Sequence, residues 1–136
     1  MSEKNRRHHV RVELARAEKS LGAAETLLSL GLPAESVQRS WYSSFYTARA
    51  LLFSRGIDPP SDEAAIRLLK AEILGPGLLD LPHERVTAGM ERARELADYK
   101  TAVTFSAEDA QAELDAVRLF TRDAVALLTR EGWTGR

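Results

Sequence analysis

Cysteine is absent from the 136 residues, which excludes disulfides, zinc–thiolate centres, iron–sulfur clusters and thiol catalysis. The absence is compatible with a reducing compartment, and a cytoplasmic protein is expected. A long hydrophobic run is missing too. No stretch approaches the roughly 20 apolar residues of a membrane helix, and Met1–Arg11 is too polar to read as a secretory signal. Neither sign of charge dominates: 19 Lys and Arg against 20 Asp and Glu leave a formal net charge of -1. A chain so balanced cannot hold nucleic acid by bulk electrostatics, and any such binding needs a local patch. Histidine occurs only 3 times. His9 and Glu13 have i, i+4 spacing, but two ligands at a chain end do not make a metal site. His83 is expected to be solvated. Glu-x-x-His pairs are absent, which excludes a ferritin-like di-iron centre. There is also no P-loop, GxGxxG or HExxH. No metal and no cofactor are expected.

What the chain does contain is punctuation and helical periodicity. Gly31-Leu32-Pro33, Gly56-Ile57-Asp58-Pro59-Pro60, Gly75-Pro76-Gly77 and Leu81-Pro82 divide it into segments. Helix one, about residues 8 to 30, carries Val10, Leu14, Ala17, Leu21, Ala24 and Leu28 as an a/d seam. Helix two runs from about Ala34 to Arg55 and stops at Gly56, a natural C′ glycine. A short third helix opens with Ser61 as cap and Asp62 and Glu63 in its first turn. Helix four, about Pro82 to Tyr99, places Val86, Met90, Ala93 and Ala97 on one stripe. Helix five opens at Ser106-Ala107-Glu108-Asp109, close to a capping box, and continues to about Glu131. The expected fold is all-α: one domain over 1–136 with its core at about 8–131, an up-down four-helix bundle with a short extra helix.

Helix two bears two stripes. Val37, Trp41, Phe45, Ala48 and Leu52 must face the core. Arg39, Tyr42, Tyr46, Arg49 and Phe53 lie roughly 120° further round, so the helix is covered on two sides. Two readings of the second stripe stand. It meets another helix, in this chain or in a second subunit, or a nucleotide base stacks on Tyr42 or Tyr46 while an arginine meets phosphate. A second cluster closes helix four: Arg92, Arg94, Asp98, Tyr99 and Lys100. Arg94 and Asp98 are i, i+4 and read either as a surface ion pair or as part of a site.

The run Arg39-Ser40-Trp41-Tyr42-Ser43-Ser44-Phe45-Tyr46-Thr47-Ala48-Arg49-Ala50-Leu51-Leu52-Phe53-Ser54-Arg55-Gly56 resembles the second-helix signature of small prokaryotic HEPN-domain proteins. Arg94-Glu95-Leu96-Ala97-Asp98-Tyr99 is similar to the Arg-x-x-Ala-Asp-Tyr of many single-domain members. The resemblance covers about residues 8 to 130. It implies a homodimeric helical bundle in RNA-directed defence or toxin–antitoxin systems, often beside a small nucleotidyltransferase partner. Ribonuclease members use Arg-x(4–6)-His, in which histidine moves the proton and arginine stabilises phosphate charge. Here Tyr99, Lys100 and Thr101 stand where that histidine is due, with Asp98 beside them. Carboxylates, which titrate at about 4 in model peptides, are poor general acids at neutral pH. Many relatives also carry a histidine after the proline-rich loop, where this chain has Ser61 and Asp62. In toxin members a tyrosine near the motif histidine takes AMP from the partner enzyme, and Tyr99 is close to that place.

The expected function is therefore a HEPN-like homodimer that binds nucleotide or RNA, or that partners a nucleotidyltransferase, with no complete ribonuclease site. Arg39, Tyr42, Tyr46, Arg49 and Arg94 are its binding candidates. The alternatives are a diverged metal-independent endoribonuclease toxin using Arg94, Asp98 and Tyr99, and a structural bundle that mediates protein contacts.

Overall fold

The computed structural model describes residues 1–99 and 103–134; the side chains of Asp98 and Tyr99, and all of Lys100, lie outside the described residues. The helices are α1 (Glu3–Ser29), α2 (Pro33–Ser54), α3 (Asp62–Leu69), α4 (Glu84–Tyr99) and α5 (Ala107–Arg130), with α3 running straight into a π turn at Lys70–Leu74. Among the described residues there is no strand, and no helix is long and apolar enough to cross a membrane.

Local chemistry sets the helix ends. Ser2 caps α1 by accepting from the Asn5 amide at 3.1 Å. Helix α1 therefore begins five residues before the expected 8. The extra turn is held because Arg6 donates to the carbonyls of Phe53 and Ser54 at the end of α2, and Arg7 to that of Gly132. Pro33 opens α2 at a position where its missing N–H costs nothing. At the other end Gly56 takes φ 77°. Its amide bonds to Phe53 O, and that of Ile57 bonds to Leu52 O, both at 2.9 Å. This is a Schellman motif. Ser61 caps α3 and Ser106 caps α5, the latter in a full capping box with Asp109.

The seam residues of α1, the Val37–Leu52 stripe of α2 and the apolar positions of α5 form the core, with Val10, Ala17, Ala48, Leu52, Phe120 and Leu128 fully enclosed. Helices α1 and α2 are antiparallel, tied where Ser36 and Ser43 donate at 2.8 Å to the carbonyls of Ala24 and Ala17. Helix α2 packs on α1, α3, α4 and α5, while among the described residues α1 and α4 make no contact. The close α2–α5 diagonal holds α1 and α4 apart, and the gap between them lies over α2.

One expectation is overturned. His83 is not solvated: its side chain is 3% exposed and its Nε2 lies 2.7 Å from Asp123 Oδ2. The cause is on α5, which points Asp123 inward. That carboxylate accepts from the amides of Asp80 and Leu81 at 3.2 and 3.1 Å as well, and the His83 ring packs edge-on against Phe120. To turn in, His83 adopts φ 53°, an uncommon conformation for a residue with a Cβ. It stops α4 from beginning at Pro82.

Candidate binding cleft

The gap between α1 and α4 is a cleft of about 730 Å³. Helix α2 supplies its floor, because residues four apart lie on one face. Trp41 and Phe45, 5% and 8% exposed, form the base. Tyr42, Tyr46 and Arg49 line the cleft from the same helix, and Ala93, Arg94, Leu96 and Ala97 from α4. Glu13 and Arg16 enter from α1, and Val103 and Phe105 close the far end.

The structure thus brings together Tyr42, Tyr46, Arg49 and Arg94. Arg39 stays outside the lining, with its guanidinium 5.7 Å from the centre of the Tyr42 ring. Asp98 and Tyr99 belong to the last turn of α4, and their side chains lie outside the described residues. Phe53 does not share the outward stripe with Tyr42. It is 6% exposed and stacks on the His9 ring of α1 at 4.6 Å. His9 is thereby engaged with Phe53 while Glu13 pairs with Arg16.

Charge in the cleft is paired. Arg49 reaches Asp62 at 2.7 Å, Arg16 reaches Glu13 at 3.4 Å and Arg94 lies 4.0 Å from Glu63. Arg16 also stands 6.0 Å over the Tyr46 ring. Trp41 is anchored from behind: its indole N–H donates to Glu113 at 3.2 Å, and Arg85 holds the other oxygen of that carboxylate at 2.8 Å. Phe105 meets the Trp41 ring edge-on at 5.8 Å, with Arg92 over its outer face. An aromatic floor therefore carries arginines of which two, Arg49 and Arg94, pair with the part-exposed Asp62 and the exposed Glu63. Such pairs contribute little, typically 0–1 kcal/mol, and exchange readily for phosphate.

Sequence reasoning did not place Glu13, Arg16, Trp41 or Phe105 at the site. The α1 pair has no local signal, since its position depends on the α1–α2 register that Ser36 and Ser43 set. Trp41 was legible only as a core residue, which it also is.

The HEPN domain model matches residues 10–127. The chain is 34% identical over 116 residues to the UPF0332 protein glr0978 of Gloeobacter violaceus, covering 85% of this chain and 92% of that one. It is 28% identical over 107 residues to "Putative toxin MJ0142" of Methanocaldococcus jannaschii, covering 79% and 73%. With "Putative toxin MJ0605" of the same organism it shares 26% identity over 98 residues, 72% of this chain and 73% of that one. The cleft therefore sits on a known scaffold: the chain belongs to the HEPN-domain family.

Proposed function

We propose that this HEPN-domain protein binds nucleotide or single-stranded RNA in the α1–α2–α4 cleft. In this reading it acts as a homodimer within a toxin–antitoxin or defence system, beside a small nucleotidyltransferase. The observation that carries the reading is the convergence of Tyr42, Tyr46, Arg49 and Arg94, from two helices, on one 730 Å³ cleft. Bases stack on aromatic faces with about 1–3 kcal/mol each, and the arginines at the rim offer forked donors to phosphate. Among the described residues the cleft lining holds no histidine, which favours binding over cleavage. Tyr99, at the end of α4, is the proposed acceptor of AMP from the partner.

Anisotropy of a labelled single-stranded oligoribonucleotide tests the binding. Tyr46→Ala and Arg49→Ala are each expected to weaken it about tenfold or more; wild-type affinity in both variants would reject the cleft. Intact mass after co-expression with an adjacent nucleotidyltransferase reads the Tyr99 arm, where an adenylate increment lost in Tyr99→Phe is expected. The Methanocaldococcus relatives are named as toxins, and a second reading is a diverged ribonuclease toxin using Arg94, Asp98 and Tyr99. Metal-independent RNA cleavage that Arg94→Ala or Asp98→Asn abolishes would establish that reading instead.

A further inference from the structure

Glu13 is the least expected group in the cleft. Its side chain is 8% exposed, yet it lines the cavity. A buried carboxylate is costly unless its oxygens are satisfied. Among the described residues its one partner is Arg16, which is 58% exposed itself and reaches only Oε1, at 3.4 Å. Oε2 has no partner there, and the carboxylate keeps most of its acceptor capacity. The antiparallel α1–α2 register, set by the Ser36–Ala24 and Ser43–Ala17 hydrogen bonds, puts Glu13 level with Thr47, beside Tyr46.

The walls narrow the choice of ligand. Trp41, Phe45 and Tyr46 offer flat apolar surface, which suits a planar ring. A carboxylate only accepts hydrogen bonds, so the edge that meets it must carry donors. Among the four RNA bases only guanine presents two adjacent donors on its pairing edge, N1–H and the 2-amino group. These match the two oxygens of a carboxylate. Adenine and cytosine each set a ring-nitrogen lone pair beside their amino group, and uracil flanks its one N–H with two carbonyls. Each would turn a lone pair towards Glu13, at the cost of an unsatisfied or repelled contact.

We propose that Glu13 makes this cleft selective for guanine, accepting from N1–H and the 2-amino group while Tyr46 stacks on the base and Arg49 and Arg94 face its phosphate. The inference rests on the nucleotide-binding reading above and goes beyond it in naming the base and the residue that reads it.

Calorimetric titration of the purified full chain with guanosine, inosine, adenosine and uridine 5′-monophosphates tests it. The guanosine nucleotide is expected to bind at least about tenfold tighter than the adenosine one. Inosine, which lacks the 2-amino group, is expected to fall about tenfold below guanosine, the cost of one hydrogen bond to a charged acceptor. This comparison needs no variant. Glu13→Gln, checked for folding by thermal melting, should erase the guanosine advantage. It should hold or raise the adenosine affinity, because an amide can both accept from and donate to the adenine edge. Equal affinity for all four nucleotides, or a guanosine preference that survives Glu13→Gln, would overturn the guanine assignment and leave the binding reading standing. Binding of none of them at millimolar concentration would overturn both.

Discussion

Asp123 is 8% exposed on the inner face of α5, and its charge state ties the loop before α4 to the bundle. Burial pushes its carboxyl up. The hydrogen bond with His83, those from the Asp80 and Leu81 amides, and the charge on His83 outweigh burial and hold it below its ordinary value of 3.8. Ionised Asp123 only accepts, so His83 Nε2 must be the donor in that bond. A carboxyl depressed by folding contributes stability in full above its unfolded value, and that contribution is lost as pH falls through the lower folded value. Asp123→Asn is therefore expected to destabilise the protein at neutral pH by about 3 kcal/mol, typical of removing one partner from a buried pair. The difference from wild type should shrink as pH falls below the ordinary carboxyl value of 3.8, where wild type itself surrenders the charge. Denaturant melts of both proteins across that range check it, and a difference that stays constant with pH would show that the charge is not what holds the loop.

At the scale of the helix, what could be read from the sequence is what neighbours along the chain decide. The seam Val10, Leu14, Ala17, Leu21 and Ala24 is buried as its spacing requires, and the Ser106–Asp109 box caps α5 as its four residues imply. Arg49, Tyr46 and Tyr42 share a face by helical geometry alone, so half of the cleft was legible. What could not be read depends on other helices. His83 looks like a loop residue until Asp123, on α5, turns it inward. Phe53 belongs to an outward stripe until His9 stacks on it. Glu13, which no local signal marked, shares the cleft with the candidate Arg94 only because α4 and α1 stand apart across α2. Gly89 shows how tightly α4 is fitted on its other flank. A Cβ there would lie 2.8 Å from the Trp41 indole nitrogen and 2.9 Å from Glu113 Oε1. Any side chain would thus displace the hydrogen bond that anchors the cleft floor. In the sequence this glycine sits mid-helix, where it costs about 1 kcal/mol against alanine, and nothing local explains it.

For the whole molecule the open question of assembly turns on α2. Tyr42 is 51% exposed on α2, beside the exposed Gln38 and Arg39, and Phe53 is not available to a second copy because α1 has enclosed it. A net charge of -1 leaves no strong long-range repulsion between copies. A twofold pair would set the same patch of each subunit face to face, so Tyr42 would lie near the axis and the two clefts would open along the edge of the contact. Such an interface needs roughly 1,200 Å² or more of buried surface to persist. Aromatic anchors near the centre supply most of the binding energy in interfaces of this kind. We expect sedimentation at micromolar concentration to give a species near twice the 15.1 kDa of one chain. Tyr42→Asp, which sets a charge beside its symmetry mate while touching no core residue, should return it to one chain without lowering the melting temperature of the fold. A wild-type protein that sediments as a single chain throughout the micromolar range would remove the dimer and leave Tyr42 to the cleft alone.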